Sequence, residues 1–156
     1  MNITLLLIGK TDKEYLQEGI DIFHKRIKRY INFEIKIIPD VRRKKLSEQE
    51  QKEEEGKLIL NFVSNDKFVV LFDEKGKEYS SEEFAVFLNK RMLSGIKNLV
   101  FVVGGPYGFS QKVYDRADMK LSLSRLTFSH QMVRLIIVEQ IYRAFTILNN
   151  EPYHHK

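Results

Sequence analysis

The chain has no cysteine among its 156 residues. This absence excludes disulfide bonds, thiolate zinc sites and a cysteine nucleophile. The chain also lacks any run of about eighteen apolar residues, the length that a membrane-spanning helix requires, so we expect no membrane span. Its first residues show neither a basic segment nor a small-residue cleavage site, and they predict a strand rather than a signal peptide. We therefore expect a cytoplasmic protein.

Several familiar motifs are missing as well. The sequence has no G-x-G-x-x-G dinucleotide fingerprint and no G-x-x-x-x-G-K-[ST] phosphate loop. No group of His, Asp and Glu has the spacing of metal ligands, so we expect no metal. Repeats, low-complexity tracts and Pro- or Gly-rich linkers are absent too. The length suits one domain, over residues 1–156.

Charge is unevenly distributed along the chain. Lys and Arg number 26 against 21 Asp and Glu, which gives a net charge of +5. Basic residues concentrate in HKRIKR (24–29) and RRKK (42–45), whereas EQEQKEEE (48–55) is mostly acidic. Such basic patches suit contact with nucleic-acid phosphates, although an excess this small is also typical of an ordinary solvated surface.

Apolar runs that are typical of strands alternate along the chain with segments whose apolar spacing is typical of helices. Near-continuous apolar stretches that end at turns predict strands at 2–9, 33–39, 67–72, 98–103 and 120–124. Apolar spacing of three and four predicts helices at 12–30, from Ser47, at 81–94, 110–117 and 130–148. This alternation indicates an α/β domain with a mostly parallel sheet flanked by helices.

Two of the predicted helices begin with capping boxes, Ser47 with Glu50 and Ser80 with Glu83. The helix after Ser47 has only a weak apolar face before Leu58. We therefore expect its first half to be solvated or mobile.

Ligands of open parallel sheets bind beyond the carboxyl ends of the strands. Here this rule selects the loops after Phe72, at GGPYG (104–108) and at 122–128. Paired glycines let main chain approach a ligand closely, although a tight turn alone would also explain them. SLSRLTFSHQMVR (122–134) is rich in hydroxyls but has no carboxylate or cysteine. It suits holding adenine or ribose by main-chain groups, and it favours transfer from an activated donor over hydrolysis.

The last predicted helix, QMVRLIIVEQIYRAFTIL, is apolar on nearly every side. Such a helix must be covered all round, so we predict a symmetric homodimer built on it. A core helix wrapped by its own chain is the alternative. Arg134 and Arg143 need a partner or a solvent edge, and RNA phosphate is one candidate. Glu139 is spaced to pair with Arg143, and the tail NNEPYHHK is either frayed or docked.

Taken together, LFDEKGK, FVVGGPYG and LSLSRLTFSHQMVRLIIVEQIYRAFTILNNEPYHHK resemble the small SPOUT-class methyltransferases of bacterial ribosomes, which methylate N3 of a pseudouridine in 23S rRNA. The resemblance spans the whole chain and is most specific from Phe101 to His154. It implies an α/β trefoil-knot fold, with the knot and cofactor region at about 98–148. It further implies an obligate homodimer, S-adenosylmethionine (S-adenosyl-L-methionine) as methyl donor, and the assembled ribosome as substrate.

The resemblance also carries site residues onto this sequence. It implies donor contacts from Phe72, Gly104, Leu123, Ser124, Arg125, Leu126, Thr127 and Phe128. It implies catalytic roles for Arg143, Tyr153 and His154, and RNA binding by His130 and Arg143. Phe72 stands where many relatives have Leu, and apolar packing there tolerates the change.

Two mechanisms stay open for the loss of the N3 proton. Positive charge from Arg143 or a tail histidine would favour the N3 anion, whereas His154 would serve as a general base. Other functions also stay open. One is a non-catalytic homodimeric module that binds a nucleotide or RNA, and another is a structural dimer. A conventional Rossmann methyltransferase is less favoured, because its glycine loop would follow the first strand, where this chain has only IGKTD.

Overall fold

The computed structural model describes residues 1–41 and 45–155, so most of the basic run 42–45 lies outside the described residues. The strands are β1 (Asn2–Ile8), β2 (Asn32–Ile38), β3 (Phe68–Glu78), β4 (Asn98–Val103) and β5 (Met119–Ser122). They form a five-stranded sheet in the order β2-β1-β4-β3-β5, with every neighbouring pair parallel. The predicted α/β class with a parallel sheet is confirmed, and the knot stays a prediction.

The helices are α1 (Glu14–Ile27), α2 (Glu48–Phe62), α3 (Ser81–Leu93), α4 (Gln111–Arg116) and α5 (Met132–Leu148). Both predicted capping boxes are present, at the starts of α2 and α3. In each box the serine hydroxyl accepts a hydrogen bond from the glutamate N–H, and the glutamate side chain accepts one from the serine N–H. The boxes satisfy donors that the first helical turn would leave unpaired.

The sheet is buried on both faces. Alternate residues of β1 point to opposite sides, so Leu5 packs with α1, α3 and α5 on one face and Leu6 packs with α2 and α4 on the other. In β4, Phe101 and Val102 divide in the same way. This double cover explains why these strands are continuous apolar runs in the sequence.

The first half of α2 is only partly solvated, contrary to the prediction. Residues 48–50 are exposed, but Gln51, Glu55 and Gly56 are buried. Gln51 Nε2 donates to Glu55 Oε1 at 3.1 Å, and a Cβ on Gly56 would lie 2.5 Å from Ser110 Oγ at the start of α4. The buried side of this half-helix is polar or glycine, and apolar periodicity therefore does not detect it.

The apolar part of β3 ends level with the ends of β4 and β5. Phe72 pairs with Val103 of β4 and with Leu121 of β5. The register between β3 and β5 then shifts, and pairing resumes at Lys77, which leaves a bulge over 73–76. Because β3 continues past this bulge as a polar stretch, it is longer than the apolar run predicts. The loops after these strands therefore start from a common edge.

Helix α5 packs against α1 and α3 through Ile137, Val138, Ile141, Ala144 and Phe145. Met132 of α5 is exposed, and several of its other apolar side chains are only partly buried, namely Val133, Leu135, Ile136, Tyr142 and Ile147. The chain thus covers α5 only in part. The homodimer stays a prediction.

Arg134 is buried, with 1% of its surface exposed. Its guanidinium donates to the carbonyl oxygens of Ile8 and Gly9 at 2.6 and 2.9 Å and to Thr11 Oγ1 at 3.2 Å. The suggestion that Arg134 contacts RNA phosphate is therefore wrong, because Arg134 instead ties the start of α5 to the end of β1.

No helix in the described ranges is long and apolar enough to cross a membrane.

Candidate active site

A cavity of about 420 Å³ opens at the common edge of β3, β4 and β5. Its walls are the segment 72–75, the GGPYG turn, the loop 121–128, and His130 with Val133 near the start of α5. All the predicted donor contacts except Arg125 line it. The Arg125 side chain is 90% exposed and lies 3.9 Å from Glu78. The volume falls within the range of small-molecule sites.

GGPYG forms a tight turn and also lines the cavity, so both interpretations of this motif hold. The N–H of Gly108 donates to the Gly105 carbonyl at 3.2 Å, and Gly108 has a φ of 80°, which favours glycine. A Cβ on Gly105 would lie 2.8 Å from both carboxylate oxygens of Glu55, which is itself buried. Glu55 of α2 thus supports the turn from behind.

The serine-rich loop after β5 uses its hydroxyls to hold its own shape. Ser122 Oγ donates to the Ser124 carbonyl at 2.9 Å, and Ser124 Oγ accepts from the N–H of Leu126 at 3.0 Å. Ser129 Oγ accepts from the N–H of Met132 at 3.0 Å and so leads into α5. Within 121–130 only Arg125 and His130 carry ionisable side chains. The loop therefore presents main-chain groups in a fixed arrangement and has few side chains that could transfer a proton.

Two carboxylates, Asp73 and Glu74, also line the cavity. Asp73 accepts hydrogen bonds from the Tyr114 hydroxyl and from the N–H of Lys75, the latter at 2.8 Å. Burial of Tyr114 and, to a smaller extent, its hydrogen bond to Asp73 raise the pKa of Tyr114 to about 12. Opposite charges attract, so this wall suits a cationic ligand. Asp73 and Glu74 directly follow the apolar run of β3, and this position is the sequence signal for such a role; the resemblance does not carry it.

Another group of predicted residues gathers near the end of α5. Arg143 donates to Glu139 Oε1 from Nε and Nη2 at 3.0 and 2.5 Å, which confirms the predicted pair. The Tyr153 hydroxyl donates to the same oxygen at 2.9 Å, and the Arg143 guanidinium lies 4.7 Å from the Tyr153 ring centre. His154 Nδ1 is 3.3 Å from Arg143 Nη1. The tail is docked, and we call these four residues the tail cluster.

The cavity and the tail cluster are separate within one chain. Val133 lines the cavity, and Arg143 lies about 15 Å further along α5 at the usual helical rise. Arg143, Tyr153 and His154 are not among the cavity's lining residues. The structure therefore brings His130 together with the predicted donor contacts other than Arg125, and it places the predicted catalytic residues elsewhere.

A parallel α/β sheet with a glycine turn and a shaped loop at the carboxyl ends of its strands has the arrangement at which such sheets bind ligands. Residues 1–154 match a family model described as "Predicted SPOUT methyltransferase". The chain is 59% identical to the ribosomal RNA large subunit methyltransferase H of Christiangramia forsetii, over the full length of both proteins. Proteins of the same name from Parabacteroides distasonis and Porphyromonas gingivalis are 57% and 51% identical, again over full length. The chain belongs to the SPOUT methyltransferase family.

Proposed function

We propose that this chain methylates N3 of a pseudouridine in large-subunit ribosomal RNA, with S-adenosylmethionine as the methyl donor. The observation that carries the proposal is the cavity at the edge of β3, β4 and β5, which the predicted donor contacts other than Arg125 line. The shared name of the full-length relatives supports both the RNA substrate and the methyl transfer.

The chemistry of the cavity suits this donor. When bound, S-adenosylmethionine supplies a methyl group on a sulfonium, which needs alignment more than acid catalysis. Main-chain groups of 122–128 hold the adenine and ribose, since the hydroxyls of Ser122 and Ser124 already shape the loop. Asp73 and Glu74 favour the donor's positive charge. Phe72 and Phe128 supply apolar walls.

The tail cluster reaches a cavity only if a second copy of the chain supplies it. Arg143, Tyr153 and His154 do not line the chain's own cavity, and Arg143 lies about 15 Å along α5 from Val133, which does. The partly exposed apolar side of α5 is the surface for the second copy. In a two-fold symmetric homodimer each tail cluster then faces the cavity of the partner.

Ribosomal RNA binds to exposed basic side chains of the protein. Lys25, Lys28 and Arg29 are exposed around the end of α1, where they are placed to contact phosphates. Arg26 is exposed as well, but its guanidinium packs over the Phe23 and Tyr142 rings. We place the enzyme in the cytoplasm, where ribosomes are its substrate.

The test uses ribosomes from cells that lack this gene. Purified protein and methyl-labelled S-adenosylmethionine are added, and the nucleosides of the large-subunit RNA are then analysed by mass spectrometry. We expect label in N3-methylpseudouridine at one position. A Gly104→Val variant, whose side chain would press on the Phe109 ring, serves as the cavity-filled control. Donor binding by calorimetry without any transferred label would instead support the non-catalytic module.

A further inference from the structure

We propose that His154 acts as a neutral hydrogen-bond donor through Nε2, rather than as a general base, and that Glu139 is the positioning residue behind it. The inference rests on the proposed function, because it assigns the roles of two residues in that methyl transfer. Its evidence is the hydrogen-bond pattern of the tail cluster.

Glu139 is the centre of this pattern. Its Oε1 accepts from two nitrogens of Arg143 and from the Tyr153 hydroxyl, and its Oε2 accepts from Gln140 Nε2 at 2.8 Å. Gln140 is itself fixed, since its Oε1 accepts from Ser81 Oγ of α3 at 2.7 Å. The carboxylate thus holds Arg143 in a single orientation, with both side chains at most a quarter exposed.

That orientation aims the remaining terminal nitrogen of Arg143 at His154. The distance from Nη1 to Nδ1 is 3.3 Å. A guanidinium donates hydrogen bonds and cannot accept them, so Nδ1 must be the acceptor and must carry the lone pair. A neutral imidazole with its lone pair on Nδ1 has its hydrogen on Nε2. The nitrogen that a general base would use is therefore occupied by Arg143.

The other ring nitrogen of His154 lies near a carboxylate. His154 Nε2 lies 3.9 Å from Glu82 Oε1 of α3, which is beyond hydrogen-bond distance but on the side of an acceptor. The imide anion of pseudouridine spreads its charge onto the two carbonyl oxygens that flank N3. An N–H held close to one of these oxygens stabilises the anion as it forms.

The reaction then balances without a protein base. The N3 proton leaves to solvent, and the N3 electron pair forms the bond to the methyl carbon. The carbon–sulfur bond breaks with its electron pair staying on sulfur, so the sulfonium becomes a neutral thioether. Glu139 offsets the charge of Arg143, which leaves the Nε2–H of His154 as the directed contact to the anion.

The first test compares His154→Gln with His154→Ala. The glutamine amide keeps an N–H donor at similar reach but does not accept a proton. We expect His154→Gln to retain kcat within about tenfold and His154→Ala to lose about a hundredfold or more, the usual effect of removing one such donor. Equal inactivation of both variants, each with unchanged donor binding, would overturn the donor role.

The second test needs no activity and so separates this inference from the proposed function. Long-range proton–nitrogen NMR spectra of the wild-type protein, with His154 assigned by comparison with His154→Gln, report which nitrogen carries the hydrogen. We expect the Nε2–H form at neutral pH. A dominant Nδ1–H form would overturn the proposal even in a fully active enzyme.

Glu139 is tested with the same two measurements. Glu139→Gln should mix the two forms of the His154 ring and lower kcat, and Glu139→Asp should restore part of both.

Discussion

At the scale of single residues, Gly76 lets the bulge of β3 lie against β5. A Cβ there would stand 2.6 Å from the main-chain N and C of Leu121, which cannot move as a side-chain end can. We expect Gly76→Ala to destabilise the fold by about 1–3 kcal/mol, the usual cost of overpacking, and to weaken donor binding because Leu121 lines the cavity. Thermal denaturation and calorimetry measure the two effects.

Gly19→Ala is the control for this substitution. Its Cβ would lie 2.9 Å from a terminal methyl of Leu135, which is able to shift, and alanine is favoured inside a helix such as α1. Its stability and donor affinity should stay close to wild type. If the two variants behave alike, close approach at Gly76 is not what shapes the edge of the sheet.

We expect the protein to lose stability at alkaline pH because two tyrosines have raised pKa values. Burial and a hydrogen bond to Glu151 raise the pKa of Tyr30 from 10.0 to about 12, and burial and Asp73 do the same for Tyr114. The folded state thus favours the protonated phenols, so their contribution is complete below pH 10.0 and disappears as the pH rises through about 12. We expect the melting temperature to fall over this window.

Lysines also titrate in this pH range, so the wild type is compared with a variant that carries both Tyr30→Phe and Tyr114→Phe. Phenylalanine keeps the rings but removes the ionisable hydroxyls. The double variant should lose less of its melting temperature between pH 10 and about 12 than the wild type does. Parallel pH profiles for the two proteins would show that neither phenol contributes.

Sequence reasoning at this scale succeeded where contacts are local and failed where they are distant. The Glu139–Arg143 pair follows from a spacing of four residues on one helix. Arg134 instead binds the carbonyl oxygens of Ile8 and Gly9, at the far end of the chain, and no local pattern indicates them. Asp73 is similar, since its partner Tyr114 belongs to another element.

At the scale of elements, apolar continuity and capping patterns were reliable guides. The prediction for β4 matches its observed bounds, Asn98–Val103, because a strand covered on both faces leaves an unbroken apolar run. The buried polar side of α2 gave no such signal. It faces the GGPYG turn and α4, and only the assembled fold makes a glutamine and a glutamate at these positions buried.

The capping box of α3 gives a prediction at this scale. Ser80→Ala removes the hydroxyl that accepts from the N–H of Glu83 at 3.1 Å. We expect the free energy of unfolding to fall by about 1 kcal/mol, measured by urea denaturation. Ser80→Asp keeps a side-chain acceptor and is the control. An unchanged free energy for Ser80→Ala would mean that the box makes no net contribution.

At the scale of the whole molecule, the sequence predicts the class of fold but not its connections. Alternating strands and helices indicate a parallel sheet, yet the order β2-β1-β4-β3-β5 depends on which strands meet in space. The trefoil knot follows only from the resemblance, since threaded chains are rare and leave no periodic signature. The separation of the cavity from the tail cluster is likewise a property of the folded chain, and it makes the homodimer testable.

Two inactive variants test the shared site. A His154→Ala chain keeps its cavity, and a Gly104→Val chain keeps its tail cluster. If each tail serves the partner's cavity, a mixed dimer has one intact site, and randomly paired equal amounts recover about a quarter of wild-type activity by symmetry. Methyl transfer to ribosomes is measured after the two chains are produced together, and sedimentation confirms the dimer. A mixture as inactive as its components would show that each chain uses its own tail, and a monomer in sedimentation would contradict the shared site altogether.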